Sequence, residues 1–549
     1  MKTRWAVLAL FAAVTIQAQL TESIEVRITN VDVVVTDRAG KPVKGLTKDD
    51  FEVFEGGEPQ PVTNFYEIRD NTETLPEEET GEVVPAVAAP APPEVSQRRI
   101  VVVFDNMSIH PFARAKAIAS LEKALDSLMR PGDEAMVAFW DHRMKVVVPF
   151  TADRGDLIAQ LRAETKKHGA AQMIYARRLQ IIEQASQAVM DARSGQRRKS
   201  LAKAYEEAMF LVKAHAEEMR SMHLNLIEDL KRTTTMLAGL EGKKTMIYLG
   251  AELSENPAVE LFYQVQGLFG PDISAAPAEF TESGRNIGRE MRTIATEANS
   301  NNVTIYMVDT ADHDAMGDPT THMPAPLAKG ASETATPLTM NMIASLTGGL
   351  LVRGGEGFDA ALKTIASDLS SYYSLGYRSP EGKGNRRIVV KVKRDGLRVR
   401  SRSSYVAKDG DEDVQDRVVA NLFNEGVKSD FPVTVETGVP EKESNGRYRI
   451  PVTVTLPSSL TLIPQDDSLT GEFTVFIATG EEEGAMSSVS KAVQPMKFPG
   501  DSREAIEEQG TFTYTTTLVV RKGQQIVSVG VTDTLAGTTG FARTKVVAQ

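Results

Sequence analysis

Polar residues with the chemistry of a binding site follow directly on an apolar run near position 100. Asp105, Ser108 and His110 come after residues 100–104, which read Ile-Val-Val-Val-Phe. Such a run has the length and β-branched content of a strand that is buried on both faces. Open α/β sheets bind their ligands just beyond the carboxyl ends of these strands. We therefore predict a site here, with Asp105 as its first candidate and Asn106 and His110 as contact residues in the same loop.

The residues that must position this loop predict a repeating strand and helix pattern. Residues 111–129 carry apolar side chains at helical spacing, and residues 134–140 and 145–151 are predicted to form a strand and a short antiparallel edge strand. Two further apolar runs, 242–250 and 303–310, have the character of buried strands. Together these segments predict a mostly parallel sheet of the doubly wound α/β class.

In this order of motifs the chain resembles a von Willebrand factor type A domain. Residues 343–349 and 372–377 resemble the closing elements of a bacterial group called VWFA-related, which is typical of acidobacteria. Residues 45–57 resemble the β-module that precedes the A domain in that group. The motifs span roughly half of the chain in the expected order. The resemblance implies a doubly wound A domain with a metal-binding loop after its first strand.

The metal-binding pattern of the best-known A domains is not intact in this chain. Those domains hold a divalent cation through Asp-x-Ser-x-Ser, aided by a distant Thr and a distant Asp. Here Met107 and Ile109 stand at the two serine places and offer no hard oxygen ligand. Glu252 is the substitute where an Asp-Gly pair usually stands. We expect no tight cation site, and a weak Mg²⁺ or Ca²⁺ site through Asp105, Ser108 and Glu252 stays open as an alternative.

Catalytic signatures are scarce in the sequence. There is no cysteine nucleophile, histidine occurs seven times, and no Gly-x-Ser-x-Gly, His-Glu-x-x-His or phosphate-loop motif is present. Asp309 follows another predicted strand and is a further candidate contact residue. We predict that the protein is not an enzyme and carries no cofactor. A periplasmic hydrolase that uses Asp105 and His110 remains the alternative from another class.

Composition limits the partners and the compartment. The 549 residues carry a formal net charge of −12, which argues against nucleic acid because phosphate binding needs a clustered basic surface. The first residues combine a basic start, an apolar core and small residues near Ala18, as in a cleaved signal peptide. The absence of cysteine excludes a lipoprotein anchor and disulfides. No segment is long and apolar enough to predict a transmembrane helix, so we expect an exported protein, periplasmic or secreted.

The chain divides into several predicted parts, with an A domain at the centre and β-structure at both ends. The C-terminal part has many short alternating strands and is predicted to be an immunoglobulin-like β-sandwich. The predicted parts are the signal peptide 1–18, a β-module 19–71, a Pro/Ala/Glu-rich linker 72–97, the A domain 98–407 with a trailing β-hairpin across residues 394–396, a linker 408–430 and the sandwich 431–549.

An insertion at about 153–240 is too long for one connection of a doubly wound sheet. Residues 174–192 and 201–240 carry helical apolar patterns and predict two long antiparallel helices, a helical arm that projects from the sheet. Such an arm either presents a partner surface or packs on its own domain, and the sequence leaves both open.

These observations predict a non-enzymatic interaction or adhesion protein. We expect it to bind a protein partner by surface complementarity, at the A-domain top loops or along the arm. Two further alternatives stay open, a weakly Mg²⁺- or Ca²⁺-dependent adhesin and a structural component of envelope assembly that self-associates through the arm.

Overall fold

The fold was obtained as a computed structural model of the whole chain. The residues that the structure describes are 28–69, 72–74, 97–165, 170–194, 200–240, 242–251, 253–270, 286–311, 337–353, 357–379, 384–424, 427–481 and 486–549. The predicted signal peptide, most of the predicted linker 72–97 and Glu252 lie outside these ranges.

Strands and helices alternate in the centre of the chain, and strands dominate both ends. The strands are β1 (Ile28–Thr36), β2 (Phe51–Glu55), β3 (Glu58–Gln60), β4 (Val62–Arg69), β5 (Thr72–Thr74), β6 (Arg99–Asp105), β7 (Glu134–Trp140), β8 (Met144–Thr151), β9 (Lys244–Gly250), β10 (Val303–Asp309), β11 (Leu351–Arg353), β12 (Ser371–Arg378), β13 (Gly384–Val392), β14 (Arg398–Ser401), β15 (Ser404–Ala407), β16 (Thr434–Thr437), β17 (Glu441–Lys442), β18 (Tyr448–Pro457), β19 (Ile463–Gln465), β20 (Ser468–Gly480), β21 (Ser490–Pro499), β22 (Thr511–Val520), β23 (Gly523–Asp533) and β24 (Thr538–Ala548). The helices are α1 (Pro111–Leu128), α2 (Arg154–Thr165), α3 (Ala171–Ser194), α4 (Leu201–Thr235), α5 (Val259–Phe269), α6 (Gly288–Ser300), α7 (residues 337–346), α8 (Phe358–Ser370), α9 (Gly410–Phe423) and α10 (Arg503–Gln509).

The central sheet has the strand order β11-β10-β9-β6-β7-β8. All neighbours are parallel except β7 and β8, which form the antiparallel edge pair. Every residue of β6 and β9 is buried, including the charged residues at their ends, Arg99, Asp105 and Lys244. The connections from β6 run to one side and those from β9 to the other, so the order reverses between these two strands. Ligand crevices of open α/β sheets form at this kind of reversal.

Helices cover both faces of the central sheet. On one face, α1, α2 and α8 bury a core that includes Phe104, Ile109 and Phe139. On the other face, the C-terminal half of α4 packs with α6 and α7 around a core that includes Met107, Trp140 and Tyr248. The fold is therefore mixed α/β, with both faces of its parallel sheet removed from water.

The strands before and after the central sheet form one β-body. β1 pairs with β12 and β14, and β2 pairs with β13, so the two ends of the A-domain segment are joined by main-chain hydrogen bonds. The sequence predicted a β-hairpin across residues 394–396, and this prediction is wrong. β13 and β14 lie in different sheets, because β13 pairs with β2 and β15 while β14 pairs with β1. The Asp-Gly turn thus forms a corner between two sheets that share one apolar core.

The predicted insertion contains the two long helices, α3 and α4, and a shorter one. α2 packs on α1 and β8 rather than on the long helices. The N-terminal half of α4 packs with α3 and α5 around a separate core that includes Ile181, Val212 and Phe262. We call α3, α5 and residues 201–216 of α4 the helical arm.

The C-terminal part consists of two antiparallel sheets with a shared core. β18 pairs with β16, β17 and β22, and β20 and β23 are the centre of the second sheet. Their inward side chains form one apolar cluster. α9 occupies most of the predicted linker 408–430 and packs on the second sheet through Val414, Val418 and Leu422. Of the helices that the structure describes, none is long and apolar enough to cross a membrane.

Candidate functional site

The loop after β6 is held in a tight turn that delivers Asp105 to the sheet edge. The main-chain N–H groups of Ser108 and Ile109 donate to the carbonyl oxygen of Asp105, at 3.2 and 3.0 Å. His110 then caps α1, where its Nδ1 accepts from the N–H of Phe112, and Pro111 starts the helix with a residue that needs no N–H partner. The loop therefore has one defined conformation, and the side chain of His110 is exposed.

The carboxylate of Asp105 is buried and receives hydrogen bonds from three directions. The N–H of Met107 donates to Oδ1 at 3.0 Å, and the hydroxyl of Ser108 donates to Oδ2 at 2.6 Å. The phenol of Tyr248, from the middle of β9, donates to the same Oδ2 at 2.8 Å. Ser108 Oγ also accepts from the N–H of Ala251 at 3.0 Å. These bonds tie the carboxyl ends of β6 and β9 together at the reversal point of the sheet.

The two residues at the serine places of the metal motif are core residues. Met107 is 4% exposed and belongs to the core under α4, whereas Ile109 is fully buried in the core under α1. The turn therefore sends these side chains to opposite faces of the sheet. Both positions contribute packing and not ligand oxygens.

The hydroxyl groups around Asp105 are engaged with its carboxylate. Tyr248 and Ser108 both donate hydroxyl protons to Oδ2 of Asp105, so a cation at this oxygen competes with two hydrogen bonds. Gly250 accommodates this arrangement, because a Cβ at that position would lie 2.6 Å from the ring and hydroxyl atoms of Tyr248. No group of three or more His, Asp or Glu side chains suited to a metal occurs in the described part of the chain. Glu252, the third predicted ligand, lies outside that part.

Two of the predicted contact residues have structural partners. Asn106 is buried, its Oδ1 accepts from Arg114 Nε at 2.8 Å, and its carbonyl oxygen accepts from the N–H of Ala171 at the start of α3. Burial lowers the pKa of Arg114, while Glu164 opposes this shift. Asp309 is 1% exposed and its Oδ1 accepts from the N–H of Ala311 at 3.0 Å. Asn106 thus links the β6 loop to the arm, and Asp309 fixes the turn after β10.

Tyr248 is the residue of this site that sequence reasoning missed. It lies within an apolar strand, far along the chain from Asp105, and strand patterns treat it as a core residue. A signal was nevertheless present, because a buried tyrosine hydroxyl usually has a hydrogen-bond partner. Gly250, two residues later on the same face of the strand, leaves the space that the ring occupies.

A second candidate site is the outer surface of the helical arm. Five of the thirteen large apolar side chains that are most exposed among the described residues belong to it: Met173 (72%), Tyr175 (47%), Leu179 (48%), Met190 (60%) and Phe210 (72%). By helical spacing, Tyr175, Leu179 and Met190 share one side of α3, away from its buried residue Ile181. We call these three residues with Phe210 the arm surface.

A shallow groove of about 280 Å³ separates α3 from α4 on another side of the arm. Small side chains line it, including Ala185, Ala188 and Ala204, with Asp191 and Glu207 also in its lining. The arm therefore presents both exposed large apolar residues and an open groove.

Comparison with known proteins gives similarity at the level of solved structures. No protein-family model matches the chain, and no curated protein matches it. The conserved hypothetical protein BatB from Bacteroides thetaiotaomicron is 11% identical, with a TM-score of 0.23 over 50% of this chain and 97% of that one. The vWF domain of the type V pili tip protein Mfa5 from Porphyromonas gingivalis is 13% identical, with a TM-score of 0.25, and the match covers 50% of this chain and 95% of that one. A von Willebrand factor type A structure from Catenulispora acidiphila is 10% identical, with a TM-score of 0.23, and the match covers 90% of this chain and 75% of that one. At these scores the likenesses carry no argument about function.

Proposed function

We propose that this chain is an exported, non-enzymatic interaction protein that binds another protein through its helical arm. The observation that carries the proposal is the arm surface, where large apolar side chains are exposed to solvent. The helices that present them have an apolar core of their own. Concentrations of exposed apolar side chains on one element of a fold are typical of protein contact sites. Met, Tyr and Phe are also the residue types that contribute most to such contacts.

The proposal assigns a supporting role to the rest of the molecule. The central sheet is a doubly wound, von Willebrand A-like scaffold, and the C-terminal sheets form an immunoglobulin-like spacer. The C-terminal half of α4, which continues directly from the arm, is fixed to this scaffold because Asp229 accepts hydrogen bonds from Trp140 Nε1 and from the N–H of Met144, at 3.1 and 3.0 Å. A rigid support lowers the entropic cost of binding.

Binding is proposed to proceed without cation bridging. The carboxylate that the metal motif would use is engaged by Tyr248 and Ser108, so a cation has to break internal hydrogen bonds before it binds. Calorimetry of the full chain with Mg²⁺, Mn²⁺ and Ca²⁺, repeated on Asp105→Ala, tests this point. A saturable heat that disappears in the variant would instead establish the cation-dependent adhesin.

The test of partner binding uses photo-crosslinking from the arm. A benzophenone amino acid replaces Leu179 or Phe210 in cells that express the full chain, and Val439 of the C-terminal part, 82% exposed, is the matched control. We expect one defined adduct from both arm positions, none from the control, and loss of the Phe210 adduct in Leu179→Glu. Adducts of equal yield from all three positions, or none from the arm, would reject the proposal.

The identity of the adduct separates a partner from self-association. An adduct of twice the chain mass, together with a dimer in sedimentation velocity that Phe210→Glu abolishes, would assign the arm to assembly of the chain with itself. A monomeric chain with a heavier or lighter adduct supports a distinct partner. Amino-terminal sequencing of the protein from the periplasm and the medium tests export, with a start near Gln19 as the expected result.

A further inference from the structure

A polar cleft lies at the end of the central sheet opposite to Asp105. It has a volume of about 430 Å³ and separates the start of β9 and the turn after α6 from α9 and the segment that leads into the C-terminal sheets. Its lining includes four cationic side chains, three carboxylates and neutral polar groups: Lys244, Lys408, Arg417, Lys428, Asp413, Asp416, Asp430, Ser300, Asn301 and Asn302.

Lys244 is a buried cation of this cleft that has no ion-pair partner among the described residues. It is the first residue of β9, where its main chain pairs with β6 and β10, and the residue is only 6% exposed. Its side chain lines the cleft, and no hydrogen bond or ion pair joins Nζ to a residue in the described ranges. A buried ammonium group without a counter-charge is costly, and such groups are usually paired or bind a ligand.

The carboxylates of the cleft are engaged elsewhere. Asp416 pairs with Lys408, which also donates to Asn301 Oδ1 at 2.7 Å. Asp430 accepts from the N–H of Thr539 at 2.8 Å. The Oδ2 atom of Asp413 lies 3.8 Å from a guanidinium nitrogen of Arg417. Each of the three carboxylates therefore has a cationic or N–H partner of its own, and none of them forms an ion pair with Lys244.

Neighbouring cations increase the positive potential at Lys244. Arg402 lies near it and donates to main-chain carbonyl oxygens of Asn299 and Asn30, which carry no formal charge. Burial, together with repulsion from Arg402, Lys408 and Arg99, lowers the pKa of Lys244 to about 8, and Asp413 opposes the shift. The group is still charged at neutral pH, where an anion in the cleft would be held most strongly.

We propose that this cleft binds a small oxyanion, with the ammonium group of Lys244 as its principal ligand and Ser300 and Asn302 as neutral donors. The inference does not depend on the proposed role of the arm. The polar lining and the ammonium group of Lys244 favour a sulfate, phosphate or carboxylate group over an apolar ligand. Because the cleft joins the sheet to α9, a bound anion also ties the C-terminal part to the central domain.

The experiment is calorimetry of the full chain with sodium sulfate at constant ionic strength, with sodium chloride as the reference salt. Sulfate is the probe because its charge does not change between about pH 7 and about pH 9.5, whereas Lys244 loses its proton there. We expect saturable binding at the lower pH and an affinity at least about tenfold weaker at the higher pH. Parallel titrations with phosphate and acetate separate a tetrahedral anion from a carboxylate, and tighter binding of either supports the site.

A pair of matched variants assigns the binding to Lys244. Lys244→Gln should weaken sulfate binding by at least about tenfold, and Lys497→Gln, at an exposed lysine of β21, should leave it unchanged. Removal of an unpaired buried charge is expected to leave the fold intact, and if the variant does not fold, the pH series on the unaltered chain decides. Absence of saturable binding at neutral pH, equal affinity at both pH values, or undiminished binding by Lys244→Gln would overturn the proposal.

Discussion

The buried pair of Asp105 and Tyr248 joins the ends of β6 and β9 through a hydrogen bond between two side chains. Both groups are almost fully removed from water, so the carboxylate depends on donors from the protein for its stabilisation. Ser108 completes the set and connects the β6 loop to the main chain after β9. The chemistry of these residues is thus used to join two strands.

Replacing Tyr248 with phenylalanine tests this interpretation at the scale of one oxygen atom. The change removes a donor to a buried carboxylate and keeps the ring, so we expect the free energy of unfolding to fall by about 1–3 kcal/mol in chemical denaturation. Tyr175→Phe, at an exposed phenol on α3, is the control and should change it by less than about 0.5 kcal/mol. Equal stability of Tyr248→Phe and the unaltered chain would contradict a structural role for the hydroxyl.

Lys244 should make the stability of the protein depend on pH. Its pKa is about 8 in the folded chain and 10.5 in the reference state, so the unfolded chain binds more protons between these pH values. Stability should therefore rise with pH across this window, by roughly 3 kcal/mol in total. In Lys244→Met this rise should vanish, and the variant should be the more stable protein at neutral pH without oxyanions. A Lys497→Met control should keep the rise, and its persistence in Lys244→Met would assign it to other groups.

At the scale of elements, α4 has two halves with different tasks. Its C-terminal half contributes Leu226 and Leu230 to the core of the central sheet, while its N-terminal half contributes Val212 and Ala216 to the core of the arm. Removal of the whole insertion would therefore also expose the sheet. Studies of the arm need point variants on its surface or truncations that spare the second half of α4.

Two truncations of buried side chains on α4 should differ in how much of the molecule they destabilise. Leu226→Ala should lower global stability by about 2–5 kcal/mol, because it leaves a cavity against the sheet. Val212→Ala should act locally, with faster hydrogen exchange in α3, α5 and the first half of α4 and unchanged protection of β6 and β9. Mass spectrometry of exchanged peptides measures both effects. Equal loss of protection in the sheet by the two variants would show that the arm and the domain form one cooperative unit.

The helix α9 shows how a charged boundary can encode structure. Asp409 caps the helix by accepting from the N–H of Glu412, and Glu412 accepts in turn from the N–H of Asp409, a reciprocal capping box. The following Val414, Val418 and Leu422 have helical spacing and pack on the C-terminal part. Both signals are present in the sequence, although a run of acidic residues more often indicates a linker.

Replacing Asp409 with alanine should cost about 1 kcal/mol of stability, because α9 loses its cap. The neighbouring Asp411→Ala is a poor control, since Asp411 contacts Lys491. Asp501→Ala, at an exposed turn of the C-terminal part, is suitable and should be near neutral. A thermal melt of the three proteins distinguishes these outcomes, and a null effect at Asp409 would mean that packing alone defines the start of α9.

At the scale of the whole molecule, the sequence predicted the parts better than their connections. The runs at β6, β9 and β10 are continuous and apolar, so the parallel sheet and the position of Asp105 could be predicted from local pattern. The pairing of β1 with β12 could not, because more than three hundred residues separate them and strand patterns contain no information on partners. The turn at Asp395 illustrates the same limit, since Asp-Gly indicates a reversal without stating whether the two strands remain in one sheet.

An ion pair at the junction of the β-body and the central sheet follows from that long-range pairing. Asp32 of β1 lies 3.6 Å from Nζ of Lys243, which immediately precedes β9 and also stacks 3.5 Å from the ring centre of Tyr372. Lys243 is 5% exposed, and burial lowers its pKa while Asp32 opposes that shift. The residues come from three distant parts of the chain, so the pair joins β1, the central sheet and β12 at one point.

Asp32→Asn should therefore destabilise the whole molecule by about 2–4 kcal/mol, because it removes the ion-pair partner of the buried ammonium group of Lys243 and leaves it the ring of Tyr372 and the charge of Asp368. Arg394→Gln, which removes an exposed partner of Asp50, should cost less than about 1 kcal/mol. Limited proteolysis should also cut the Asp32→Asn protein sooner between the β-body and the central sheet, since the loss weakens their junction. If both variants lost stability equally, burial of Lys243 would not be what makes this ion pair matter.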